Sequence, residues 1–240
     1  MNIALIGYGK MGREIEVIAR ERGHEVKLIV DENNKSDLNA ANLKKVDVAI
    51  EFTRPESAYS NIIKCFDADI PIVVGTTGWQ SKFEDVKAEC LKNKRGLFYA
   101  SNYSIGVNIF FQLNQGLARL MNRTQDYKLE LEEIHHITKL DAPSGTAITL
   151  AEGIIGNFGN KTEWVKEKAD AENQIPIRSI RRENVPGTHI VSYESDIDII
   201  QIKHEAKGRK GFAMGAVVAA EFMNGKHGIY TMKDLLKFLD

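Results

Sequence analysis

Short apolar runs alternate with amphipathic segments through the amino-terminal part of the chain. The runs are rich in Ile, Val and Leu, which is typical of strands covered on both faces. Between them, apolar residues recur at helical spacing. This alternation predicts an α/β fold, a Rossmann-like doubly wound parallel sheet. The predicted strands are 2–6, 25–30, 47–52, 71–74 and 97–100, and the predicted helices are 11–22, 55–66 and 81–92.

Beyond residue 104 the pattern changes to that of a second, α+β mixed-sheet domain. A long helix over 106–121 precedes a strand over 127–136, a further helix, an apparent hairpin of 177–182 with 189–193, and a strand over 196–204. Segment 161–173 is polar and is predicted to be a solvent-facing loop or short helix. The last helices, 213–223 and 232–238, are expected to return to the first domain. The predicted domains are therefore 1–103 plus 213–240, and 104–212.

The strand over 127–136 ends close to the start of a helix. Alternation along this strand puts Leu129, Leu131, Glu133 and His135 on one face. Downstream, Pro143 suits a first helical turn and Ser144 can cap free amides. Apolar residues then recur at helical spacing, at Ala147, Leu150, Ala151, Ile154 and Ile155.

This helix start predicts a binding site for an anionic group. The unpaired amides of Ser144, Gly145 and Thr146 lie at the positive end of the helix dipole and would hold a carboxylate. His135 and Lys139 flank these amides in the sequence. The segment therefore combines a candidate proton donor and a cation with an anion-binding helix terminus.

A glycine-rich turn follows the first predicted strand. Its G-x-G-x-x-G pattern indicates a dinucleotide-binding turn, in which amides approach a pyrophosphate closely. A second predicted strand ends at Asp31, roughly 20 residues after the glycines. This is the sequence spacing at which an acidic residue binds the adenosine ribose in such folds. The alternative is a glycine-rich turn of an α/β fold without a nucleotide. The residues of the turn are Gly7, Tyr8, Gly9, Lys10, Met11 and Gly12.

Three loops leave the carboxyl ends of predicted strands and carry small or polar residues. In doubly wound sheets ligands bind at these ends, so the loops are candidates to contact the nicotinamide. Turns favour the same residue types for conformational reasons alone, which leaves a structural explanation open. The candidate contacts in the loops are Phe52, Thr53, Gly75, Thr76, Thr77, Ser101, Asn102 and Tyr103.

The identity of the nucleotide stays open at this point. Asp31 would accept hydrogen bonds from a ribose diol and repel a 2′-phosphate, which favours NADH. Lys10, Arg13 and Lys35 could nevertheless gather around a phosphate. The sequence therefore predicts NADPH or NADH as cofactor.

Composition and charge exclude several classes of function. The 240 residues are 43% apolar with a formal net charge of −1, so a general attraction to nucleic acid or to anionic membranes is not expected. Basic residues between 178 and 210 are interleaved with acidic ones and lack stacking aromatics. No apolar window reaches membrane-spanning length and no basic n-region precedes an apolar stretch, which predicts a cytoplasmic protein. Cys65 and Cys90 are interpreted as buried apolar residues.

Taken together, these motifs resemble the dihydrodipicolinate reductase family, also called 4-hydroxy-tetrahydrodipicolinate reductase. The resemblance spans nearly the whole chain. It is carried by Glu130-x-x-Glu133-x-His135-His136-x-x-Lys139-x-Asp141-Ala142-Pro143-Ser144-Gly145-Thr146-Ala147, by Gly75-Thr76-Thr77-Gly78, by Ser101-Asn102-Tyr103-Ser104 and by Pro186-Gly187-Thr188-His189.

The resemblance implies an NAD(P)H-dependent reductase of a small cyclic dicarboxylate in the diaminopimelate route to lysine. It implies a dinucleotide-binding domain and a second domain that binds substrate and builds a homotetramer. His135 would be the proton donor, Lys139 a substrate-binding cation that assists protonation, and His136 a substrate contact. Gly145 and Thr146 would hold one substrate carboxylate.

Three alternatives remain at this stage. A metal site could be built from His135, His136, His189 and His204, but adjacent histidines on a strand point to opposite faces, so we expect no metal. A dehydrogenase acting on an amino acid or a sugar could share the nucleotide domain. A sensor that binds NADH without turnover is the third alternative.

Overall fold

A computed structural model describes residues 1–124 and 126–237. The chain forms two compact units, 1–105 with 209–240, and 106–208. The boundaries expected from the sequence were 103/104 and 212/213. In the structure the helix that begins at Lys210 belongs to unit 1 from its first residue, so the second boundary lies a few residues earlier than expected.

Unit 1 contains a six-stranded sheet in which every pair of neighbouring strands is parallel. The strands are β1 (Asn2–Ile6), β2 (Glu25–Val30), β3 (Val48–Glu51), β4 (Ile72–Val74), β5 (Gly96–Tyr99) and β11 (Gly228–Tyr230). Their order in the sheet is β11-β5-β4-β3-β1-β2, which confirms the doubly wound fold class. The helices are α1 (Lys10–Glu21), α2 (Ala40–Leu43), α3 (Pro55–Asp67), α4 (Phe83–Lys92), α7 (Lys210–Met223) and α8 (Met232–Leu236).

Apolar residues on both faces of this sheet explain its layered packing. On one face Ala4 and Ile6 contact a buried cluster that includes α3 and α4, and on the other Ile3 and Leu5 contact a cluster with α1 and α7. Because successive strand residues point to opposite faces, one continuous apolar run such as β1 fills both cores. The short β11 and α2 were not predicted. Of the predicted helix over 232–238, residue 238 lies outside the described residues.

Unit 2 contains a five-stranded mixed sheet in the order β10-β9-β6-β8-β7. Its inner face, with Leu131, Ile177 and Val191, forms a core with residues of two helices. The strands are β6 (Lys128–His135), β7 (Glu163–Lys166), β8 (Gln174–Arg181), β9 (Thr188–Glu194) and β10 (Ile199–Glu205), and the helices are α5 (Ile105–Met121) and α6 (Gly145–Ile155).

The predicted hairpin between β8 and β9 is wrong. These strands lie on opposite edges of β6, which pairs parallel with β8 and antiparallel with β9. The free edge of β8 is occupied by β7. Turn residues between two strands cannot reveal that a third strand lies between them, and the connection over 182–187 therefore crosses the end of β6. The actual hairpin is β9 with β10.

Two further expectations are corrected. The polar segment 161–173 contains a strand, β7, whose pattern is obscured because both of its ends are exposed. Pro143 lies before Ser144, the N-cap of α6, and not within the first helical turn; its bond to Ala142 is cis. The capping by Ser144 itself is as predicted, since its side chain accepts a hydrogen bond from the Ala147 amide.

Candidate active site

The glycine-rich turn of unit 1 combines close backbone packing with open space at the start of a helix. Gly7 has a φ of +97° and a Cβ there would lie 2.0 Å from the carbonyl oxygen of Phe52. A Cβ at Gly12 would lie 2.2 Å from the Gly7 carbonyl oxygen, so this glycine permits close contact of helix and strand. At Gly9, the N-cap of α1, a Cβ would meet nothing within 4 Å. Two glycines are thus required by packing, and the third leaves open space at a helix amino terminus.

A cavity of about 750 Å³ opens beside this turn. Its volume is in the range of small-molecule and cofactor sites. Of the residues predicted to bind the nucleotide, those lining it are Gly7, Tyr8, Gly9, Asp31, Phe52 and Thr53. The cavity therefore lies at the carboxyl ends of β1, β2 and β3, where a doubly wound sheet binds its ligand.

Charged residues of both signs surround the part of the cavity next to β2. Asp31 follows β2 directly, and its carboxylate accepts a hydrogen bond from the Asn33 amide. Arg54 makes an ion pair of 2.7 Å with Glu32, and both side chains are largely exposed. Lys35 also lines the cavity. The one arginine among the lining residues is thus already paired with a carboxylate.

The loops after β3 and β4 are joined by hydrogen bonds. The Thr53 amide donates to the Thr76 hydroxyl over 2.7 Å, and the Thr53 hydroxyl donates to buried Glu51. Burial raises the pKa of Glu51, while hydrogen bonds from Thr53 lower it in part. A Cβ at Gly75 would fall within the ring of Phe52, 2.1 Å from its Cζ, so glycine is required there. These contacts hold two of the three predicted nicotinamide-contacting loops together.

The other predicted nucleotide contacts have varied surroundings. Tyr103 is buried in the core, where its hydroxyl donates to the Val74 carbonyl over 2.7 Å, so its side chain supports the sheet. Asn102 accepts a hydrogen bond from the Ser104 amide. Lys10, Thr77 and Ser101 are exposed, and Met11 is half-buried.

In unit 2, alternation along β6 buries Glu133 and His135 beside Leu129 and Leu131, as predicted. The Glu133 side chain is 0% exposed and that of His135 is 9% exposed, and Glu133 Oε2 lies 3.5 Å from His135 Nδ1. Burial lowers the pKa of His135, and the nearby carboxylate of Glu133 opposes this effect. The candidate proton donor is therefore a buried imidazole whose charged form is stabilised by the Glu133 carboxylate.

Glu133 is the most heavily hydrogen-bonded carboxylate of this region. It accepts from the Ser144 amide over 3.0 Å and from the Ser179 hydroxyl over 2.9 Å, and an Arg181 guanidinium nitrogen lies 3.4 Å away. Burial would raise the pKa of Glu133, but these hydrogen bonds and the charge of His135 outweigh it and lower the pKa. Glu133 is therefore ionised near neutral pH.

His189 completes this buried group. Its ring is T-shaped to that of His135 at 5.0 Å, and its Nε2 lies 3.1 Å from the Ser144 hydroxyl. Burial and the neighbouring His135 lower the pKa of His189 to about 3, so this imidazole is neutral at pH 7. Sequence reasoning placed His189 in the Pro186-Gly187-Thr188-His189 motif, but the one role it considered for this side chain was that of a metal ligand.

Ligand-type atoms of Glu133, His135 and His189 lie within 4.8 Å of one another. This group differs from the histidine set considered from sequence, because it contains a carboxylate and lacks His136 and His204. Glu133 already holds the Ser144 amide and the Arg181 guanidinium, and His189 is in contact with the Ser144 hydroxyl. A dication here would face the guanidinium and compete with these hydrogen bonds, so the geometry favours a proton-transfer group.

Lys139 forms an ion pair with Asp141. Its Nζ lies 2.7 and 2.8 Å from the two carboxylate oxygens, and the Lys139 side chain is 21% exposed. The hydrogen bonds from Lys139 lower the pKa of Asp141 in spite of partial burial. Arg181 also holds the loop over 139–141, because its guanidinium donates a hydrogen bond of 2.6 Å to the Asp141 carbonyl. An incoming anion would therefore compete with Asp141 for Lys139.

The amino terminus of α6 is only partly available as an anion site. The Ser144 amide is engaged by Glu133, and the Ser144 hydroxyl caps the Ala147 amide. Gly145 is exposed and a Cβ there would meet nothing within 4 Å, while Thr146 is half-buried. His136 is half-buried with its Nδ1 2.8 Å from the Thr138 hydroxyl. Of the three amides predicted to hold a carboxylate, that of Ser144 is thus committed within the protein.

Sequence reasoning missed the contribution of Arg181 and Gly187. Arg181 was considered only as part of a basic cluster, yet it contacts both Glu133 and the 139–141 loop. Gly187 lies where the 182–187 connection crosses the end of β6, and a Cβ there would lie 3.1 Å from His135 Nε2. Both contacts depend on strand order, which no local pattern encodes.

Among the described residues, none of the helices combines the length and apolarity needed to cross a bilayer.

Comparison with known proteins identifies matches over the whole chain. A family model described as dihydrodipicolinate reductase, N-terminus, matches residues 1–103, and one described as dihydrodipicolinate reductase, C-terminus, matches residues 106–236. The 4-hydroxy-tetrahydrodipicolinate reductase of Christiangramia forsetii is 51% identical over 240 residues, which cover 100% of this chain and 99% of the relative. That of Neisseria gonorrhoeae is 34% identical over 231 residues, covering 92% of this chain and 83% of the relative.

A solved structure supports the fold. The dipicolinate-bound dihydrodipicolinate reductase from Paenisporosarcina sp. TG-14 superposes with a TM-score of 0.77 and 23% identity, covering 100% of this chain and 99% of that one.

Proposed function

We propose that this chain, which belongs to the dihydrodipicolinate reductase family, is an NAD(P)H-dependent oxidoreductase of the diaminopimelate route to lysine. It reduces 4-hydroxy-tetrahydrodipicolinate to tetrahydrodipicolinate. The observation that carries this proposal is the buried Glu133–His135 pair next to Lys139 and the amino terminus of α6. A proton donor, a cation and helix amides are the groups that a dicarboxylate acceptor of hydride requires.

The chemistry needs one hydride, one proton and the loss of water. The 4-hydroxyl and a proton from the neighbouring C3 leave as water, which gives a conjugated ring. Hydride addition at C4 of this ring then leaves an enamine-like C3 that takes one proton. A bound dihydronicotinamide supplies the hydride. Unit 1 would hold this donor through the turn over 7–12, with Asp31 on the ribose and the loops at 52–53, 75–77 and 101–103 toward the nicotinamide.

In unit 2, we assign the proton to His135 Nε2 and substrate binding to Lys139, His136, Gly145 and Thr146. Lys139 would exchange Asp141 for a substrate carboxylate. Burial lowers the pKa of His135 in the free protein, and the negative charge of a bound dicarboxylate would raise it and favour the protonated donor. Substrate binding would thereby favour transfer of the His135 proton to the substrate.

A coupled assay tests the function. Freshly made product of dihydrodipicolinate synthase is supplied with NADH or NADPH, and cofactor oxidation is followed by absorbance. We expect oxidation only when this substrate is present. Oxidation with amino acids or sugars instead would support another two-domain dehydrogenase, and nucleotide binding without turnover would support a sensor.

We further propose that NADH is the better hydride donor. Asp31 and Glu32 present negative charge near the ribose, and Glu32 neutralises Arg54. Glu32→Gln is expected to free Arg54 for a 2′-phosphate and to raise kcat/KM for NADPH about tenfold with little change for NADH, as for one gained charge-assisted hydrogen bond.

Steady-state kinetics with both nucleotides check this expectation. Glu21→Gln, at an exposed position at the end of α1, removes the same charge elsewhere and is the matched control. An NADPH efficiency that does not respond to Glu32→Gln contradicts the role of the Glu32–Arg54 pair.

A homotetramer is proposed from the open face of the unit 2 sheet. This face carries half-buried or exposed apolar side chains in the described strands, namely Ile134, Ile180, Ile190 and Ile199. Sheets with such faces pack against another sheet. Sedimentation equilibrium is expected to give four times the mass of one chain; the mass of one chain would contradict the proposal. We also propose a cytoplasmic location, where reduced nicotinamide cofactor is available.

A further inference from the structure

We propose that Glu133 is a positioning residue that fixes both the imidazole of His135 and the amino terminus of α6. This inference rests on the proposed function of the site. It goes beyond that function because it assigns the tautomer of the proton donor to a residue that does not contact substrate.

The two oxygens of the Glu133 carboxylate have different partners. Oε1 accepts from the Ser179 hydroxyl over 2.9 Å and faces the Arg181 guanidinium at 3.4 Å. Oε2 accepts from the Ser144 amide over 3.0 Å and lies 3.5 Å from His135 Nδ1. A carboxylate with no exposed surface is stable only with such compensation. Oε1 thus anchors the side chain to β8, which leaves Oε2 to act on the site.

His135 Nδ1 is buried and makes no hydrogen bond within the described part of the chain. The Glu133 carboxylate at 3.5 Å is an acceptor that a protonated Nδ1 can approach. A proton kept on Nδ1 leaves Nε2 as the nitrogen that gives up its proton. The absence of a side chain at Gly187 is consistent with this, since a Cβ there would lie 3.1 Å from Nε2.

The same Oε2 atom holds the start of α6. Ser144 is the N-cap of this helix, and its amide donates a hydrogen bond to Glu133 Oε2. One carboxylate oxygen therefore connects the proton donor with the proposed carboxylate site. Displacement of Glu133 would alter both kcat and KM for the dicarboxylate.

The charged groups that face His135 give the direction of the pH effect. Glu133 and Asp141 are anionic, whereas Lys139 and Arg181 are cationic, and neutral His189 packs against the ring. The Glu133 charge raises the pKa of His135, whereas the charges of Lys139 and Arg181 lower it. Removal of the Glu133 charge is therefore expected to lower the pKa of His135 further. The protonated fraction of His135 at a given pH then decreases. As a result, the fall of kcat with rising pH begins at a lower pH.

The experiment compares Glu133→Gln with Glu152→Gln. Glu152 is exposed on α6 in the same unit, outside the site and away from the open face of the sheet, so its substitution removes the same charge and is the matched control. The ¹⁵N shifts of the histidine rings, with the His135 signals assigned by His135→Gln, report tautomer and pKa without substrate. NADH affinity and melting temperature are measured alongside kcat and KM.

Glu133→Gln is expected to mix the His135 tautomers, lower its pKa and reduce kcat by about tenfold to a hundredfold, in the range for a lost orienting partner of an imidazole. NADH affinity is expected to stay unchanged. Unchanged His135 signals in a folded Glu133→Gln protein would overturn the inference. If this variant does not fold, Glu133→Asp, which retains charge but withdraws the carboxylate, is expected to mix the tautomers with the pKa of His135 nearly retained; an unaltered tautomer would overturn the inference.

The two proposals fail in different ways. A wild-type protein that does not reduce the dicarboxylate, but whose His135 tautomer responds to Glu133→Gln, contradicts the function and retains the positioning role. An active wild type whose His135 does not respond contradicts only the positioning role.

Discussion

His135→Gln is expected to lower kcat by about 10²–10⁴-fold, the usual contribution of a general acid. Glutamine keeps a polar side chain of similar reach near Glu133 but cannot transfer a proton to carbon. NADH affinity is expected to remain, because the cavity that we assign to the nucleotide is lined by unit 1 residues. Single-turnover reduction and NADH fluorescence titration measure the two quantities separately. His227→Gln, at an exposed position in unit 1, is the control.

The pH dependence provides a second test of this assignment. The donor must be protonated, so wild-type kcat falls as pH rises through the pKa of His135 in the complex. Burial lowers the pKa of His135 in the free protein and a bound dianion raises it, so the kcat limb is expected at higher pH than the kcat/KM limb. His135→Gln is expected to lose this limb. A retained limb would mean that another group donates the proton.

Lys139→Met is expected to raise KM for the dicarboxylate by about 10- to 100-fold, as for loss of a charge-assisted hydrogen bond, and to lower kcat as well. Methionine retains the apolar length of the side chain, so the change mainly removes the charge and leaves Asp141 without its partner. Initial rates at varied substrate and saturating NADH separate KM from kcat. Equal and mild effects of the His135 and Lys139 variants would contradict the assigned roles.

Lys207→Met is the matched control for this experiment. Lys207 also pairs with a carboxylate two residues away, Glu205, over 2.6 Å, but its side chain is 85% exposed. This pair is solvated and we expect its loss to leave kinetics unchanged. A Lys207→Met protein with a raised KM would indicate that any change of surface charge weakens dicarboxylate binding.

Local patterns were sufficient for five of the six strands of unit 1, and they missed the short edge strand β11 and the short helix α2. Continuous apolar strands separated by amphipathic helices leave a parallel sheet as the one way to bury both strand faces, and the structure confirms this. The family resemblance carried by the motif over 130–147 is confirmed by the matches over both halves of the chain. Each of these inferences depends on residues that are close in sequence or on a fixed spacing.

Features that depend on strand order were not predictable, and contacts within the 133–144 segment were missed as well. The hairpin of β8 and β9 was predicted wrongly because β6 inserts between them. The same insertion brings Ser179 and Arg181 to one side of Glu133 and His189 to the other. The sequence indicated that Glu133 and His135 share a face, but it did not indicate that the carboxylate would use the Ser144 amide, nor that Asp141 would pair with Lys139.

The central position of β6 affects how well the site resists local unfolding. Partial opening of a folded protein begins at edges and loops, where few bonds must break. β7 and β10 are the edge strands of this sheet, whereas β6 is bonded along both sides. His135 is the last residue of β6 and pairs there with Arg181 of β8, so local opening of β7 or β10 would leave in place the backbone that carries the proposed proton donor.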